Sequence, residues 1–351
     1  MVNEVFSRRL KSARLMRGLS MDSLCERMKN AVSKQSISKY ENGKMMPDST
    51  TLISLSQALN VSVDFFFRPY TVSLDSMEFR KKCRLKVSSL NAIKEKVLDE
   101  IERYLEIENL LEMDNLFTVD YSDKMVTTPE GAREIAIRLR RDWKLGEDAI
   151  NNIIFLLEEN GIKVIQLDTD EEFDGLSGFV NKVHPVIIVN KKAYAERQRF
   201  TVLHELGHLL LHFDTDMPDK AKERLCNVFA NEMLLPSSQF IEMVGASRKD
   251  ISLQELIPLQ KQYGLSIDAM MYKAKELGVI TEQRYKGYCI KRSSSADFHR
   301  QVIEPRYPRE DSRRFQTLVY KAISQEVISI SKASSLLNCS VNEIRSSISY
   351  I

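Results

Sequence analysis

The chain has 351 residues, 43% apolar and 28% charged, with a formal net charge of +2, a balance typical of a globular protein with room for two or three domains. No apolar run approaches the roughly 20 residues that span a bilayer, and the basic N-terminus lacks the apolar stretch of a secretory signal. The cysteines (Cys25, Cys83, Cys226, Cys289, Cys339) are scattered and form no C-x-x-C pair, so the expectation is a cytoplasmic protein with reduced thiols and no membrane partner.

Residues 1–68 hold 11 Lys/Arg against 6 Asp/Glu, as do residues 286–351, whereas 69–285 hold 29 against 37. A basic first segment is compatible with a nucleic-acid partner. That segment reads as short helices. Val5, Leu10 and Leu15 serve a first, ending near Gly18; Ser20 caps a second, with Leu24 and Met28 on its apolar side; Ser33 caps a third over 34–41, stopped by Asn42-Gly43. A fourth follows Pro47-Asp48, and Val61 to Phe66 opens a short fifth. Two short helices followed by a polar one is the logic of a helix-turn-helix, whose third helix enters the major groove of double-stranded DNA. Gln35 suits adenine, and Lys34, Ser36, Ser38 and Lys39 share the polar third helix with it and complete the candidate DNA-binding set, while Ile37 and Tyr40 form its buried side. The run Arg9-Leu10-Lys11, Arg14, Arg17-Gly18-Leu19-Ser20, then Ile37 to Gly43, then Pro47, Leu52 and Ala58-Leu59, resembles the Xre-type (Cro and lambda-repressor-like) DNA-binding domain. The resemblance implies operator binding. One departure is the turn Lys29 to Ser33, about two residues longer than the common form and without its glycine.

Pro69 ends this domain. From about Ser76 to Met113 a long linker helix is expected, with Leu90, Ile93, Val97, Ile101, Tyr104, Ile107 and Leu111 recurring every three or four residues. The stripe suits packing on the next domain or, as favoured here, pairing in a homodimer that reads two half-sites. Asp114 to Thr128 reads as a linker.

Helices are expected from Pro129 to Arg141 and from Gly146 to Glu159, then strands at 163–167, 178–180 and 185–189, with 181–184 as a hairpin turn. Pro185 to Val189 is the candidate edge strand for an extended peptide substrate. A helix starting near Glu196 carries His204-Glu205-Leu206-Gly207-His208. Residues four apart share a helix face, so both histidines can hold one ion, with Glu205 beside them as the catalytic base; this is the zinc-peptidase arrangement. Gly207 points to close packing against another backbone. The next helix, to about Leu235, places Glu223, Asn227 and Ala230 on one face. Glu223 is the expected third ligand, and Asn227 the group that orients a ligand. Among competitors, His212 lies one turn further on and is assigned a supporting role near the metal, Glu232 turns away, and His184 and Cys226 are read as structural.

Arg199-Phe200-Thr201, His204 to His208 and His212, followed by Glu223, Asn227, Phe229-Ala230 and Leu234-Leu235-Pro236, resemble the ImmA/IrrE family of zinc metallopeptidases over roughly 130–285. By that resemblance the zinc ligands are His204, His208 and Glu223, with Glu205 catalytic, and the family is implicated in cleaving repressor proteins in stress responses and mobile elements.

After a loop at Ser293 to Ser295 and Pro305/Pro308, helices are expected around 315–323, after Ser331 and after Ser340. The two short helices around Asn338-Cys339 resemble another DNA-reading unit, but the preferred reading is a cap on the peptidase domain or an oligomer contact. The expected fold is thus mostly α with a small β-sheet (α+β): a helix-turn-helix bundle (1–68), a helical linker (69–127), a zincin-like domain (128–285) and a helical C-terminal region (286–351). The expected function is a DNA-binding regulator whose zinc endopeptidase cleaves a repressor or itself. The alternatives are a non-proteolytic sensor of a ligand or partner and an antitoxin-like autorepressor.

Overall fold

The computed structural model describes residues 2–72, 87–114, 117–169 and 173–348. The first four helices are α1 (Val2–Met16), α2 (Met21–Arg27), α3 (Lys34–Glu41) and α4 (Ser49–Leu59), followed by a 3-10 turn at Val63–Phe67. Side-chain caps start them locally: Ser20 accepts from the Ser23 amide, Ser33 from Ser36 and Asp48 from Thr51. Phe6, Leu10, Leu24, Ile37, Leu55, Leu59 and Phe66 form their common core. Arg14 ties the bundle together, pairing with Glu41 of α3 at 2.6 Å and donating to the Leu19 carbonyl at 2.8 Å. In the long turn between α2 and α3, Lys29 (φ 53°) and Asn30 (φ 58°) take the left-handed backbone that a glycine ordinarily takes.

The described part of the linker helix is α5 (Val87–Leu110). Residues 73–86, with the expected first turns from Ser76 and with Cys83, lie outside the described residues. The stripe of α5 is filled from within the chain rather than offered to a second copy. Ile93, Val97, Leu98, Ile101 and Leu105 pack on Ile165, Leu176, Val186 and Ile188 of the sheet. Tyr104 and Ile107 pack on Leu318, Val319 and Ala322 near the C-terminus. Its third side meets the N-terminal bundle through charges: Arg9 with Glu102 at 2.8 Å, Ser12 Oγ donating to Glu95 at 2.5 Å, and Arg68 with Asp99.

Next come α6 (Pro129–Asp142) and α7 (Ile153–Glu159). The helix expected from Gly146 starts only at Ile153. Arg140 draws the carbonyls of Gly146 and Asp148 out of helical register, at 2.9 and 2.6 Å, and Asn152 caps α7 instead. The sheet consists of β1 (Lys163–Leu167), β2 (Gly175–Val180) and β3 (His184–Asn190), in the order β1-β3-β2. β3 is parallel to β1 and antiparallel to β2. Asn181 and Lys182, both at positive φ, close the β2–β3 hairpin. The expected edge strand, Pro185 to Val189, is therefore the central strand, and β2 lies at the edge. The continuous apolar run of β3 reflects burial on both faces, by the core around α8 (Ala195–Leu210) on one and by α5 on the other.

The remaining helices are α9 (Asp219–Leu234), α10 (Ser237–Val244), α11 (Leu253–Tyr263), α12 (Ile267–Glu276), α13 (Glu282–Ser294), α14 (Ala296–Ile303), α15 (Arg314–Ser324), α16 (Ile330–Leu337) and α17 (Val341–Ser347). The boundary expected at 285–286 falls inside α13, and Tyr288 and Val302 join the large core of the preceding residues. Ser293 and Ser294 are helical rather than loop, and Ser295 caps α14. α16 is capped by Ser329 in place of Ser331, and Ser340 with Glu343 forms the capping box of α17. α15 and α16 lie on α5 rather than capping the zincin-like core. No described helix is long and apolar enough to cross a membrane.

Candidate metal centre and DNA-reading helix

α8 and α9 cross closely at Gly207. A Cβ there would meet the Phe229 ring at 3.2 Å and Cys226 Cα at 3.4 Å. The apolar side of α8 (Val202, Leu203, Leu206, Leu210) is fully in the core, which leaves the opposite side to face α9. There His204, His208 and Glu223 offer ligand atoms within 4.8 Å of one another. His204 Nε2 lies 3.1 Å from Glu223 Oε2 and 3.1 Å from His208 Nε2, and His208 Nε2 lies 3.3 Å from Glu223 Oε1. Bonds of about 2.0–2.1 Å to one tetrahedral ion place its ligand atoms about 3.3 Å apart. The three donors thus fit a zinc-sized ion with little movement.

The far side of each imidazole is also held. His204 Nδ1 lies 2.8 Å from Asn227 Oδ1, and His208 Nδ1 lies 3.2 Å from Cys226 Sγ. With Nδ1–H donating outward, each Nε2 lone pair points to the shared centre. Glu205 is 8% exposed, and its Oε2 accepts the Ser177 hydroxyl at 2.6 Å. Ser177 belongs to edge strand β2, which α8 approaches so closely that a Cβ on Gly175 would sit 2.5 Å from Thr201 Cγ2 and 3.2 Å from Glu205 Cγ. A cavity of about 540 Å³ lies over this side, lined by Gly175, Phe200, His204, Glu205, Glu223 and Asn227 among others.

Two partners of the centre are not marked by the sequence motif. Cys226, read as core, touches His208; its place one residue before Asn227 on α9 was the available signal. Ser177 was missed because its strand lies 28 positions before Glu205. His212 is corrected in the other direction. α8 ends at Leu210, Leu211 turns extended, and the His212 carbonyl takes the Val126 amide at 2.8 Å. Its imidazole, 46% exposed, faces Asp120 at 3.8 Å and does not join the centre. Glu232 pairs with Lys273 at 2.7 Å in the core. His184 is also remote from the centre. It starts β3, and burial, reinforced by the Lys163 ammonium, holds its imidazole below the usual value.

On α3, Lys34, Gln35 and Lys39 are exposed, Ser36 and Ser38 half-buried, and Ile37 and Tyr40 buried. Lys34 pairs with Asp22 at 2.7 Å, but both side chains are about 60% exposed, so the pair holds Lys34 weakly. The Ser36 hydroxyl meets Ser33 at 3.0 Å, and the Ser38 hydroxyl takes the Asn42 amide at 3.3 Å. Lys34, Gln35 and Lys39 are therefore the side chains presented outward.

Comparison with known proteins recognises a stretch in each of the two regions. The helix-turn-helix profile matches residues 10–66, and that of the IrrE N-terminal-like domain matches residues 157–275. The radiation response metalloprotease IrrE of Deinococcus radiodurans is 32% identical over 111 residues, which cover 28% of this chain and 33% of that protein. IrrE of Deinococcus deserti is 28% identical over 111 residues, 28% of this chain and 39% of that protein. The chain thus spans only about a third of the length of these relatives. A prophage-derived HTH-type transcriptional regulator of Bacillus subtilis, YonR, itself uncharacterised, is 31% identical over 102 residues, 29% of this chain and 93% of that protein. The chain belongs to the Xre-like helix-turn-helix regulators and carries, after that domain, a peptidase domain of the IrrE/ImmA type.

Proposed function

We propose that this protein binds an operator through α3 and uses a zinc ion held by His204, His208 and Glu223 to cleave a protein substrate, a repressor or itself, and so switches transcription. The observation that carries the reading is the convergence of those three donors beside Glu205 at an open strand edge. When bound, the ion supplies Lewis acidity toward a water and a peptide carbonyl. Asn227 and Cys226 orient the two imidazoles. The Glu205 carboxylate, held by the Ser177 hydroxyl, takes the proton of the attacking water and returns it to the leaving amine. A substrate strand pairs with β2, whose outer edge has no strand beside it among the described residues. Two copies bind a two-fold operator through a surface other than the stripe of α5, which is filled from within the chain.

Elemental analysis of purified protein tests the centre. About one zinc per chain is expected, lost in His204→Ala and in Glu223→Ala. Glu205→Gln should keep the zinc and lose all cleavage. A well-folded wild-type protein that takes up no zinc would end the peptidase reading and leave the domain as a sensing or interaction module.

A further inference from the structure

A second cavity, of about 590 Å³, adjoins the one over the metal centre and shares Arg197, Phe200 and Asn227 with it. It lies between α8, α9 and the helices α11 to α14. Phe200, Tyr272, Ala269 and Val302 contribute apolar wall. Glu196, Asn231 and Gln260 also line it, although they are only 4%, 7% and 2% exposed.

The hydrogen bonding of Glu196 and Asn231 is one-sided, whereas Gln260 is satisfied, donating to Glu196 and the Glu304 carbonyl and accepting from Arg306. Glu196 Oε1 accepts from Gln260 Nε2 (2.8 Å), the Arg306 amide (2.7 Å) and the Tyr307 amide (3.2 Å), whereas Oε2 has no partner among the described residues. Asn231 donates to the Ala269 carbonyl at 3.0 Å, while its Oδ1 has none. The other carboxylates near the cavity are matched: Asp268 by Arg292 at 2.8 Å, and Asp174 by Arg197 at 2.6 Å. Among the described residues Glu196 has no ion-pair partner. A buried carboxylate without a cation and a buried amide oxygen without a donor are both costly. Both oxygens lie sealed behind the cavity wall, so an occupant with an apolar stem and a cationic, donor-rich head would relieve them once the two side chains turn toward it.

We propose that this cavity is the side-chain pocket of the peptidase and takes a lysine or arginine next to the scissile bond. The inference rests on the peptidase reading above. The substrate's methylene stem lies along Phe200 and Tyr272, and its head donates to Glu196 and Asn231. An acidic side chain would meet the Glu196 carboxylate and is refused.

The test uses full-length protein loaded with zinc and a peptide library read by mass spectrometry. Cleavage beside Lys or Arg is expected, with roughly a tenfold or greater preference over acidic residues. Glu196→Gln should erase the preference without changing zinc content. Because Glu196 also accepts three protein donors, Ala269→Phe provides a second variant. It fills the pocket from the wall and should cost cleavage beside long basic residues more than cleavage beside alanine. Cleavage with no basic preference, or a preference that survives both variants, overturns the pocket. A binding measurement separates the two readings: acetyl-argininamide, followed by ligand-observed NMR on metal-free protein, should bind the wild type and not Ala269→Phe. Such binding with no cleavage of any peptide would sink the peptidase reading and keep a pocket for basic groups. No binding and no cleavage would remove both.

Discussion

The N-terminal bundle and the unit with the candidate metal centre place their proposed site residues on opposite sides of their helices' burial. α3 buries Ile37 and Tyr40 and presents Lys34, Gln35 and Lys39 to solvent. α8 is buried on most of its surface, and its candidate site residues, His208 and Glu205 among them, are within the packing. Function on α3 can therefore change with little effect on folding, whereas on α8 the two are tied together.

The largest expected effect tests the α8 half. Gly207→Val forces a branched side chain against Phe229 and Cys226. It should cost about 3 kcal/mol of stability in denaturant melts, by overpacking and by poor helix propensity, and should loosen zinc as well. A variant as stable as wild type would show that the α8–α9 crossing has slack. On α3, Gln35→Ala with Lys39→Ala should lower specific operator affinity by on the order of a hundredfold and leave the melting temperature unmoved. Unchanged footprints would remove α3 as the reading helix.

Much of both regions is legible in the sequence because its signals are local. Ser20, Ser33 and Asp48 announce their helices within three residues. The two histidines are one turn apart, and the face shared by Glu223 and Asn227 can be counted along one helix. Where the structure departs from the sequence pattern, distant partners decide. Pro185 to Val189 looks like any apolar strand until β1 and β2 flank it. His212 continues the helical count until Val126 claims its carbonyl. Gly146 to Asn152 has helical composition, but Arg140 holds its carbonyls.

A third prediction sets the two units apart by pH. Glu158, at the end of α7, accepts the Ser312 hydroxyl at 2.6 Å, and burial pushes its carboxyl up to about 7. The folded chain therefore keeps a proton that the unfolded chain releases near its ordinary value of 4.5. The stability this contributes is complete below about pH 4.5 and is lost as pH rises to about 7. Wild-type protein should lose about 2–3 kcal/mol on that account between pH 4.5 and 8, and Glu158→Gln should not. Equal pH profiles would place Glu158 in a wetter site. Smaller effects belong to the groups behind the imidazoles, and the smallest to a helix cap. Asn227→Ala and Cys226→Ala should each weaken zinc binding roughly tenfold to a hundredfold, measured by competition with a chelator, while Ser33→Ala, a lost cap on α3, should cost only about 1 kcal/mol of stability.

The position of α5 also bears on how the chain is made. Arg103, in the middle of α5, bonds the carbonyl of Leu336, 233 positions later. At roughly 5–20 residues per second, a ribosome takes about 10–50 s to supply that partner. During that time the Tyr104–Ile107 side of α5 is on offer to any apolar surface nearby. Shape and operator binding in the N-terminal bundle can be in place well before the side of α5 that faces α15 and α16 is closed. The N-terminal bundle would then be complete while the chain is still being synthesised, with the packing of α15 and α16 on α5 assembled last.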